Sequence, residues 1–252
     1  MRLDLYLTNN GFFDSRNKAQ DEIKKGNIEV DGKVILKPNF DVIKPNIKVL
    51  NQMPYVSRGG YKLEEAIKAF NLDFKDKVVL DIGASTGGFT DCALLNGARL
   101  VYSVDVGSNQ LALKLRNDKR VISYENTNIL DLKLDINPDI LVMDVSFVSI
   151  EHLIDGIKRF LNQNNYLIAL IKPQFEVGKM INKGVIKDKK VHIDVLNMVS
   201  TYLNNNGLYI NKLTVSPIKG GSGNIEFLSM ISLINKGHID ILEVVEKAHR
   251  KG

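Results

Sequence analysis

Four charged residues stand beside apolar segments of this chain, in the order Lys, Asp, Lys, Glu. Lys62 begins a stretch with helical apolar spacing, Asp144 follows ILVM, Lys172 follows YLIALI, and Glu226 lies within NIEFL. A single charged residue after an apolar strand is best interpreted as the point where the strand reaches the surface. Together, however, the four are predicted to converge on the ligand-binding edge of one sheet, where amines and carboxylates are typical of acid–base chemistry.

A loop of small residues lies near these four in the predicted fold. The segment VVLDIGASTGGFT predicts a buried strand, a tight turn and a helix. Glycine in such a turn lets a ligand approach the backbone closely. The loop lacks the G-x-G-x-x-G spacing, so the dinucleotide fingerprint is absent. The predicted cofactor-binding residues of this loop are Gly83, Ala84, Ser85, Thr86, Gly87 and Gly88.

Three other positions are predicted to hold the same ligand. The second strand, LVYSVDVG, ends at Asp105 and Val106, and an acidic residue there can hold the ribose of a nucleotide or of S-adenosylmethionine. Asn128 follows the third strand and is predicted to lie beside an adenine, although a turn-forming asparagine is the alternative. Asp144 is included because it ends its strand at the same edge. Strand, glycine-rich loop and second-strand acid together indicate a methyltransferase, and a glycine-rich turn without a ligand is the alternative.

The elements around these residues alternate between strand and helix. Apolar strands VVLDI, LVYSVDV, RVISYE, ILVMDV and YLIALIKP predict a parallel sheet covered on both faces, with helices such as Ile150–Leu161 and Val191–Leu203 between them. LYINKLTVSP and NIEFLSMISLI are joined only by a short glycine-rich connection, so they must pair antiparallel. His238–Lys247 is predicted as a closing helix. The predicted class is α/β, a Rossmann-like class I methyltransferase sheet that is mostly parallel with an antiparallel C-terminal strand.

A smaller α+β module precedes this sheet. Helices are predicted at Arg2–Asn9 and Arg16–Lys25, the second with Ser15 as N-cap, followed by a hairpin around Asp31-Gly32 and a third strand, NIKVL. The net charge is +5, and residues 1–62 hold 11 basic against 7 acidic residues. This excess suggests that an acidic polymer binds at this end. The predicted organisation is residues 1–50 as the module, 51–61 as a linker and 62–252 as the sheet domain.

Composition restricts the remaining classes. No stretch approaches the roughly 18 apolar residues of a membrane span, and the N-terminus does not look like a signal peptide, so we expect a cytoplasmic protein. No metal site is expected, because the four histidines form no ligand cluster with the single cysteine, Cys92. In the linker, Arg58 beside two glycines suits a phosphate contact, and a plain hinge is the alternative.

The N-terminal module resembles the S4-like RNA-binding domain shared by a small-subunit ribosomal protein and many pseudouridine synthases. The resemblance rests on the pattern S-R-x-x-A-x-x-x-I-x-x-G-x-I-x-V-D-G-K-V. Charge alone would favour a solvated basic helix face, but the forty-residue pattern favours RNA binding. The RNA-facing residues that this resemblance implies are Arg2, Ser15, Arg16, Lys18, Lys24 and Lys25, to which we add Arg58 of the linker.

The sheet domain resembles the FtsJ-like ribose methyltransferases, whose catalytic residues are Lys, Asp, Lys and Glu in that order. With the RNA-binding module, nearly the whole chain resembles the TlyA family, known both as hemolysins and as ribosomal RNA cytidine 2′-O-methyltransferases. The motifs that carry this are VSRGGYKL, DIGASTGGFTD, VDVG, MDVSF, LIKPQFEVG and GGSGNIEFL. The resemblance implies S-adenosylmethionine as cofactor and a cytidine in rRNA as substrate. In length, the chain resembles the shorter class of this family, and by analogy with that class we expect it to act on large-subunit RNA only.

The same resemblance makes Lys62, Asp144, Lys172 and Glu226 the catalytic quartet. A ribose 2′-hydroxyl must lose its proton to become a good nucleophile, and a lysine beside the cationic sulfonium has its pKa lowered by like charge and desolvation. We assign the base to Lys172, the orientation of the lysines to Asp144 and Glu226, and contact with the ribose to Lys62. The lysine-rich run 179–190 is expected to be a mobile phosphate-contacting loop, or merely a solvated one.

Two alternatives of another class are left open. A membrane-acting hemolysin would need a spanning segment or a basic amphipathic helix, and the sequence offers neither, so failure to lyse lipid vesicles would exclude it. A non-catalytic RNA-binding assembly factor could keep the methyltransferase fold, but the intact quartet argues against it.

Overall fold

The computed structural model describes residues 1–13, 15–50, 53–177 and 185–250. The chain divides into two compact units, Met1–Pro54 and Tyr55–Gly252. Each unit has a hydrophobic core of its own. No helix within the described ranges is long and apolar enough to cross a membrane.

The first unit contains two helices and a small antiparallel sheet. Their bounds are α1 (Leu3–Asn9), α2 (Arg16–Lys24), β1 (Ile28–Val30), β2 (Lys33–Val34) and β3 (Ile47–Val49), with strand order β2-β1-β3. Asp31 and Gly32 both have positive φ, the geometry that a two-residue hairpin turn requires, so the predicted hairpin is confirmed. Ser15 Oγ accepts from the Lys18 N–H at 3.3 Å, which confirms the predicted N-cap.

The second unit is a seven-stranded sheet with helices on both faces. Its elements are α3 (Gly59–Phe70), β4 (Val78–Ile82), α4 (Gly88–Leu95), β5 (Leu100–Val104), α5 (Leu113–Arg116), β6 (Val121–Tyr124), β7 (Ile140–Met143), α6 (Ile154–Lys158), β8 (Tyr166–Ile171), α7 (Pro173–Glu176), α8 (Lys189–Asn205), β9 (Tyr209–Val215), β10 (Phe227–Ser232) and α9 (Ile241–Arg250). The strand order is β6-β5-β4-β7-β8-β10-β9. The first five strands are parallel, and β10 runs antiparallel to both neighbours, as predicted.

Burial on both faces explains why the central strands are apolar throughout. Val78, Leu80 and Ile82 of β4 pack into one core with α6, α8 and α9, whereas Val79 packs into the other with α3 and α4. Successive side chains of a strand point to opposite faces, so a strand covered on both sides needs apolar residues at both parities.

Three helix predictions differ from the structure by three residues or more, and one of them is the closing helix, which was predicted at His238–Lys247 and is observed at Ile241–Arg250. Helix α3 begins at Gly59, three residues before Lys62, so residues 59–61 are helical rather than linker. Glycine at position 60 allows close packing, because a Cβ there would lie 2.1 Å from the Tyr55 ring. The predicted helix Ile150–Leu161 is instead a 3-10 turn, Ile150–His152, followed by α6.

Candidate active site

The sheet topology brings the four charged residues to one edge. Asp144 follows β7 and Lys172 follows β8, and these strands are parallel neighbours, so their carboxyl ends lie side by side. Strand β10 is antiparallel to β8, and the register pairs Phe227 with Ile171. Glu226, immediately before β10, therefore lies at the same edge rather than within the strand as predicted. Lys62 comes from the first turns of α3.

Short contacts join the four side chains into one network. Lys62 Nζ donates to Glu226 Oε2 at 2.8 Å and to Asp144 Oδ2 at 3.2 Å. Lys172 Nζ lies 2.5 Å from Asp144 Oδ1. No side chain of the four exceeds 18% exposure. Asp144 thus bridges both lysines, one through each carboxylate oxygen.

Three further residues touch this quartet and were missed from the sequence. Ser146 Oγ accepts from Lys172 Nζ at 2.9 Å, and Gln174 Nε2 donates to Glu226 Oε1 at 3.2 Å. A Cβ on Gly220 would lie 2.5 Å from Glu226 Oε1, so only glycine leaves room for that carboxylate. Ser146 and Gln174 each follow a quartet member by two residues, which is a signal that the motifs MDVSF and LIKPQFEVG contained.

Glu176 fastens the loop after β7 to helix α7. Its Oε2 accepts from Ser149 Oγ at 2.6 Å, and its carboxylate also accepts the Ile150 N–H at 3.3 Å. Burial raises the pKa of Glu176, and these bonds partly offset the effect. The same two segments meet again where the rings of Phe147 and Phe175 lie 5.0 Å apart. Phe147 is 89% exposed and has φ +66°, a conformation that is strained for an aromatic residue.

The glycine-rich loop and the quartet line one cavity of about 880 Å³. Gly83 has φ +79°, and a Cβ there would lie 2.9 Å from Val145 Cγ1, so glycine lets the loop approach the backbone that follows β7. Of the predicted loop residues, all but Gly87 line this cavity. Gly87 instead packs against α5, where a Cβ would lie 2.3 Å from Leu115 Cδ1.

Asp105 supports the loop from the neighbouring strand. Its Oδ2 accepts the Ser85 N–H at 2.8 Å and its Oδ1 accepts the Gly107 N–H at 2.7 Å. It lines a separate small pocket next to Ala84 rather than the large cavity. Val106, the next residue, is exposed.

Asn128 is exposed and is not among the residues that line the large cavity. Its Oδ1 accepts the Leu130 N–H at 3.0 Å, which is the turn geometry of the alternative interpretation.

A buried carboxyl group under the loop was also missed. Thr90 Oγ1 donates to Asp81 Oδ2 at 2.6 Å and lies 2.7 Å from Ser103 Oγ, so Ser103 must donate to Thr90. Burial raises the pKa of Asp81 to about 7, and the charges of Asp144 and Asp105 contribute in the same direction. This network joins β4, α4 and β5 inside the core.

In the first unit, a buried aspartate organises the predicted RNA-facing residues. Asp4 is fully buried and accepts from Arg2 Nη2 at 2.9 Å, Arg16 Nε at 2.9 Å and Gln20 Nε2 at 2.6 Å. Burial opposes its ionisation, but the bonds from Arg2, Gln20 and Arg16 outweigh that effect and hold the pKa of Asp4 far below its usual value. Both arginines stay about half exposed, so their guanidinium groups are fixed yet accessible.

The other predicted RNA contacts are scattered along the surface. Ser15, Lys18, Lys24 and Lys25 are exposed on α2 and its cap, and Lys25 pairs with Glu22 at 2.7 Å. Arg58 is exposed at the N-cap of α3.

The predicted lysine-rich loop is described only in part. Residues 179–184 lie outside the described residues. Its end is not a loop: Lys189 and Lys190 form the first turn of α8, and Lys189 pairs with Glu246 at 2.7 Å. In the part of the chain that the structure describes, no group of three or more histidine, cysteine or acidic residues is placed to hold a metal.

Comparison with known proteins gives matches to both units. A family model of FtsJ-like methyltransferases matches residues 55–232, and one of S4 domains matches residues 1–42. Hemolysin A of Brachyspira hyodysenteriae is 44% identical, with 91% of this chain and 98% of that protein covered. The 16S/23S rRNA (cytidine-2′-O)-methyltransferase TlyA of Mycobacterium tuberculosis is 34% identical, covering 90% and 87%. A solved structure from Streptococcus thermophilus is 38% identical, with TM-score 0.77 and coverage of 100% and 96%.

Proposed function

The chain belongs to the FtsJ-like methyltransferase family, and on that premise we propose that it methylates the 2′-hydroxyl of a cytidine in ribosomal RNA. The donor that we propose is S-adenosylmethionine. The proposed acceptor is the large-subunit RNA, because a relative from Campylobacter jejuni, 33% identical with 90% of this chain and 97% of that protein covered, is named a 23S rRNA (cytidine-2′-O)-methyltransferase. The unit that matches the S4 domain is proposed to bind that RNA through Arg2, Arg16 and the exposed lysines of α2.

The unequal pairing of the two lysines carries the mechanistic part of this proposal. Two carboxylates, Glu226 and Asp144, stabilise the charge of Lys62. Among the described residues, Asp144 is the one carboxylate that pairs with Lys172, and the second acceptor near this lysine is the neutral hydroxyl of Ser146. Because contacts with charged acceptors are the stronger ones, Lys172 is held less strongly than Lys62. We therefore propose Lys172 as the general base and Lys62 as the lysine that stays charged.

The cavity fits the proposed donor. Ligand pockets of roughly 300–1,000 Å³ are typical, and this one combines the glycine-rich loop with the quartet. The loop backbone from Gly83 to Thr86 would hold the methionine end, and Asp105 would accept from the ribose hydroxyls at the end of β5. When bound, S-adenosylmethionine would supply the methyl group of its sulfonium, and the electron pair of the broken C–S bond would stay on sulfur.

The quartet then has a task for each member. Lys172 Nζ takes the proton of the 2′-hydroxyl, and Asp144 Oδ1 stabilises the ammonium that forms. Lys62 donates toward the ribose oxygens, held in place by Glu226, which Gln174 orients in turn. The exposed ring of Phe147 at the cavity offers a stacking face for the target base.

Substitution of Lys172 tests the proposal. Lys172→Ala should fold and bind donor and RNA, yet transfer labelled methyl to isolated ribosomal subunits ~10²–10⁴-fold more slowly. Lys172→Arg should fail as well, because arginine stays protonated and cannot accept the proton. Lys68→Ala, an exposed lysine of α3, is the matched control. A rate nearly restored by arginine would refute the base role, and methylation mapped to small-subunit RNA alone would refute the proposed acceptor.

A further inference from the structure

Within the described ranges, Ser146 is the one uncharged acceptor that the proposed base donates to, and nothing in the family pattern of four charged residues gives it a role. We propose that Ser146 is a positioning residue that fixes the rotation of the Lys172 amine, so that its lone pair points at the 2′-hydroxyl. The inference rests on the proposed function, because it takes Lys172 as the base.

The geometry around Lys172 Nζ limits its orientation. The described residues supply two acceptors, Asp144 Oδ1 at 2.5 Å and Ser146 Oγ at 2.9 Å. The side chain is 7% exposed and lines the large cavity, with the Phe175 ring centroid 5.9 Å from Nζ. Besides its bond to Cε, a tetrahedral amine has three directions, and with two of them taken by Asp144 and Ser146 one direction is left for the lone pair that meets the substrate.

The orientation matters at the moment of proton transfer. In the neutral form that we propose, one N–H donates to Ser146 Oγ and the contact with Asp144 Oδ1 takes a second direction, so the lone pair occupies the remaining one. The O–H bond of the substrate breaks, its proton goes to Lys172 Nζ, and its electron pair stays on oxygen. Without Ser146 the amine keeps only the Asp144 contact and can rotate about its Cε–Nζ bond, which lowers the fraction of time in the reactive geometry.

The loop that carries Ser146 is held well enough to perform this task. Ser146 lies between Asp144, which is fixed by two lysines, and Ser149, whose hydroxyl donates to Glu176 at 2.6 Å. The ring contact between Phe147 and Phe175 joins the same loop to α7. Because Lys172 immediately precedes α7, the serine and the lysine are carried by segments fastened to each other at three points.

The pH dependence of the rate separates positioning from a general structural effect. Ser146→Ala should lower the maximal kcat roughly 10- to 100-fold with donor and RNA affinities unchanged. It should also move the acidic limb of the kcat profile to lower pH, because the ammonium form loses more from the missing hydrogen bond than the neutral form does. The charged groups that act on Lys172, namely Asp144 directly and Lys62 and Glu226 through it, are the same in both proteins.

Two comparisons complete the experiment. Ser146→Thr keeps the hydroxyl and should restore most of the rate and the wild-type limb. Ser200→Ala on α8, a serine outside the large cavity, is the matched control and should leave both unchanged. This inference alone would be overturned if Ser146→Ala had the wild-type kcat and an unchanged acidic limb of the pH profile while Lys172→Ala was inactive. Full activity of Lys172→Ala would overturn the proposed function with it.

Discussion

Replacing Lys62 by methionine should destabilise the second unit by leaving a carboxylate buried without its cation. Glu226 is 3% exposed, and Lys62 Nζ donates to it at 2.8 Å. After the change, the amide of Gln174 at 3.2 Å is the remaining side-chain donor among the described residues. Removing one partner of a buried ion pair typically costs ~3–5 kcal/mol. Each kcal/mol shifts Tm by ~2–4 °C in a domain of about 150–250 residues, so we expect a fall of ~6–20 °C.

A second variant identifies the cause of that fall. In Lys62→Met/Glu226→Gln the buried carboxylate is replaced by a neutral amide, so most of the lost stability should return while methyl transfer stays absent. Thermal unfolding followed by circular dichroism measures both variants, with Lys68→Met on the exposed face of α3 as control. The loss in Lys62→Met should be smaller at pH 5 than at pH 8, because the unpaired carboxyl can then take up a proton. A double variant no more stable than Lys62→Met would refute the reasoning.

Two further predictions concern the cofactor loop and the core behind the sheet. Asp105→Ala should weaken S-adenosylmethionine binding by ~1.5–3 kcal/mol in calorimetry, and equal affinities would rule out Asp105 as a ligand. Burial and the neighbouring His249 lower the pKa of His192 to about 4. As pH falls below ~6.5, the His192 imidazole therefore takes up a proton in the unfolded chain before it does so in the folded protein. The free energy of unfolding, measured by urea titration, should drop by up to ~3 kcal/mol by pH 4 as a result. The drop should be smaller in His192→Leu; an unchanged slope would contradict this.

The local sequence pattern was enough to predict the bounds of elements that are buried on both faces. Strand β4 has the bounds that its apolar run predicts, Val78–Ile82, because a run covered on both faces needs no information from elsewhere in the chain. The antiparallel end of the sheet followed from a connection too short for a crossover. Helix α6 could not be bounded this way. The 3-10 turn before it begins where the distant Glu176 binds Ser149 and the Ile150 N–H.

Two buried acids, Asp4 and Asp81, were among the residues that sequence interpretation missed. Asp4 shares the buried face of α1 with Leu3 and Leu7, and this helical spacing was the available signal. The buried carboxylate of Asp4 is stabilised by hydrogen bonds from Arg16 and Gln20, which lie on another helix. No local sequence pattern shows that pairing. Asp81 lies within the buried run VVLDI, where Thr90 donates to its Oδ2 and Ser103 in turn contacts Thr90.

The partners within the quartet could not be assigned from the sequence. The residue types and their order were predictable, but Lys62 reaches Asp144 across 82 residues and Glu226 across 164. Which lysine holds two carboxylates and which holds one is decided by the register between β8 and β10 and by the start of α3. That difference is what separates the proposed base from the lysine that stays charged.

If Lys172 is the base, as we propose, the charges of the quartet explain how such a buried site could exchange a proton. With Lys172 neutral, Lys62, Asp144 and Glu226 together carry a single negative charge, which is matched by the positive charge of the donor. Once Lys172 took the proton, the quartet would be neutral, and a donor that had given up its methyl group would be neutral as well. The positive charge would then rest on the Lys172 amine, where Asp144 already lies 2.5 Å away. No new charge has to be buried during the reaction, and fixed groups provide the stabilisation that water would otherwise have to reorganise to supply.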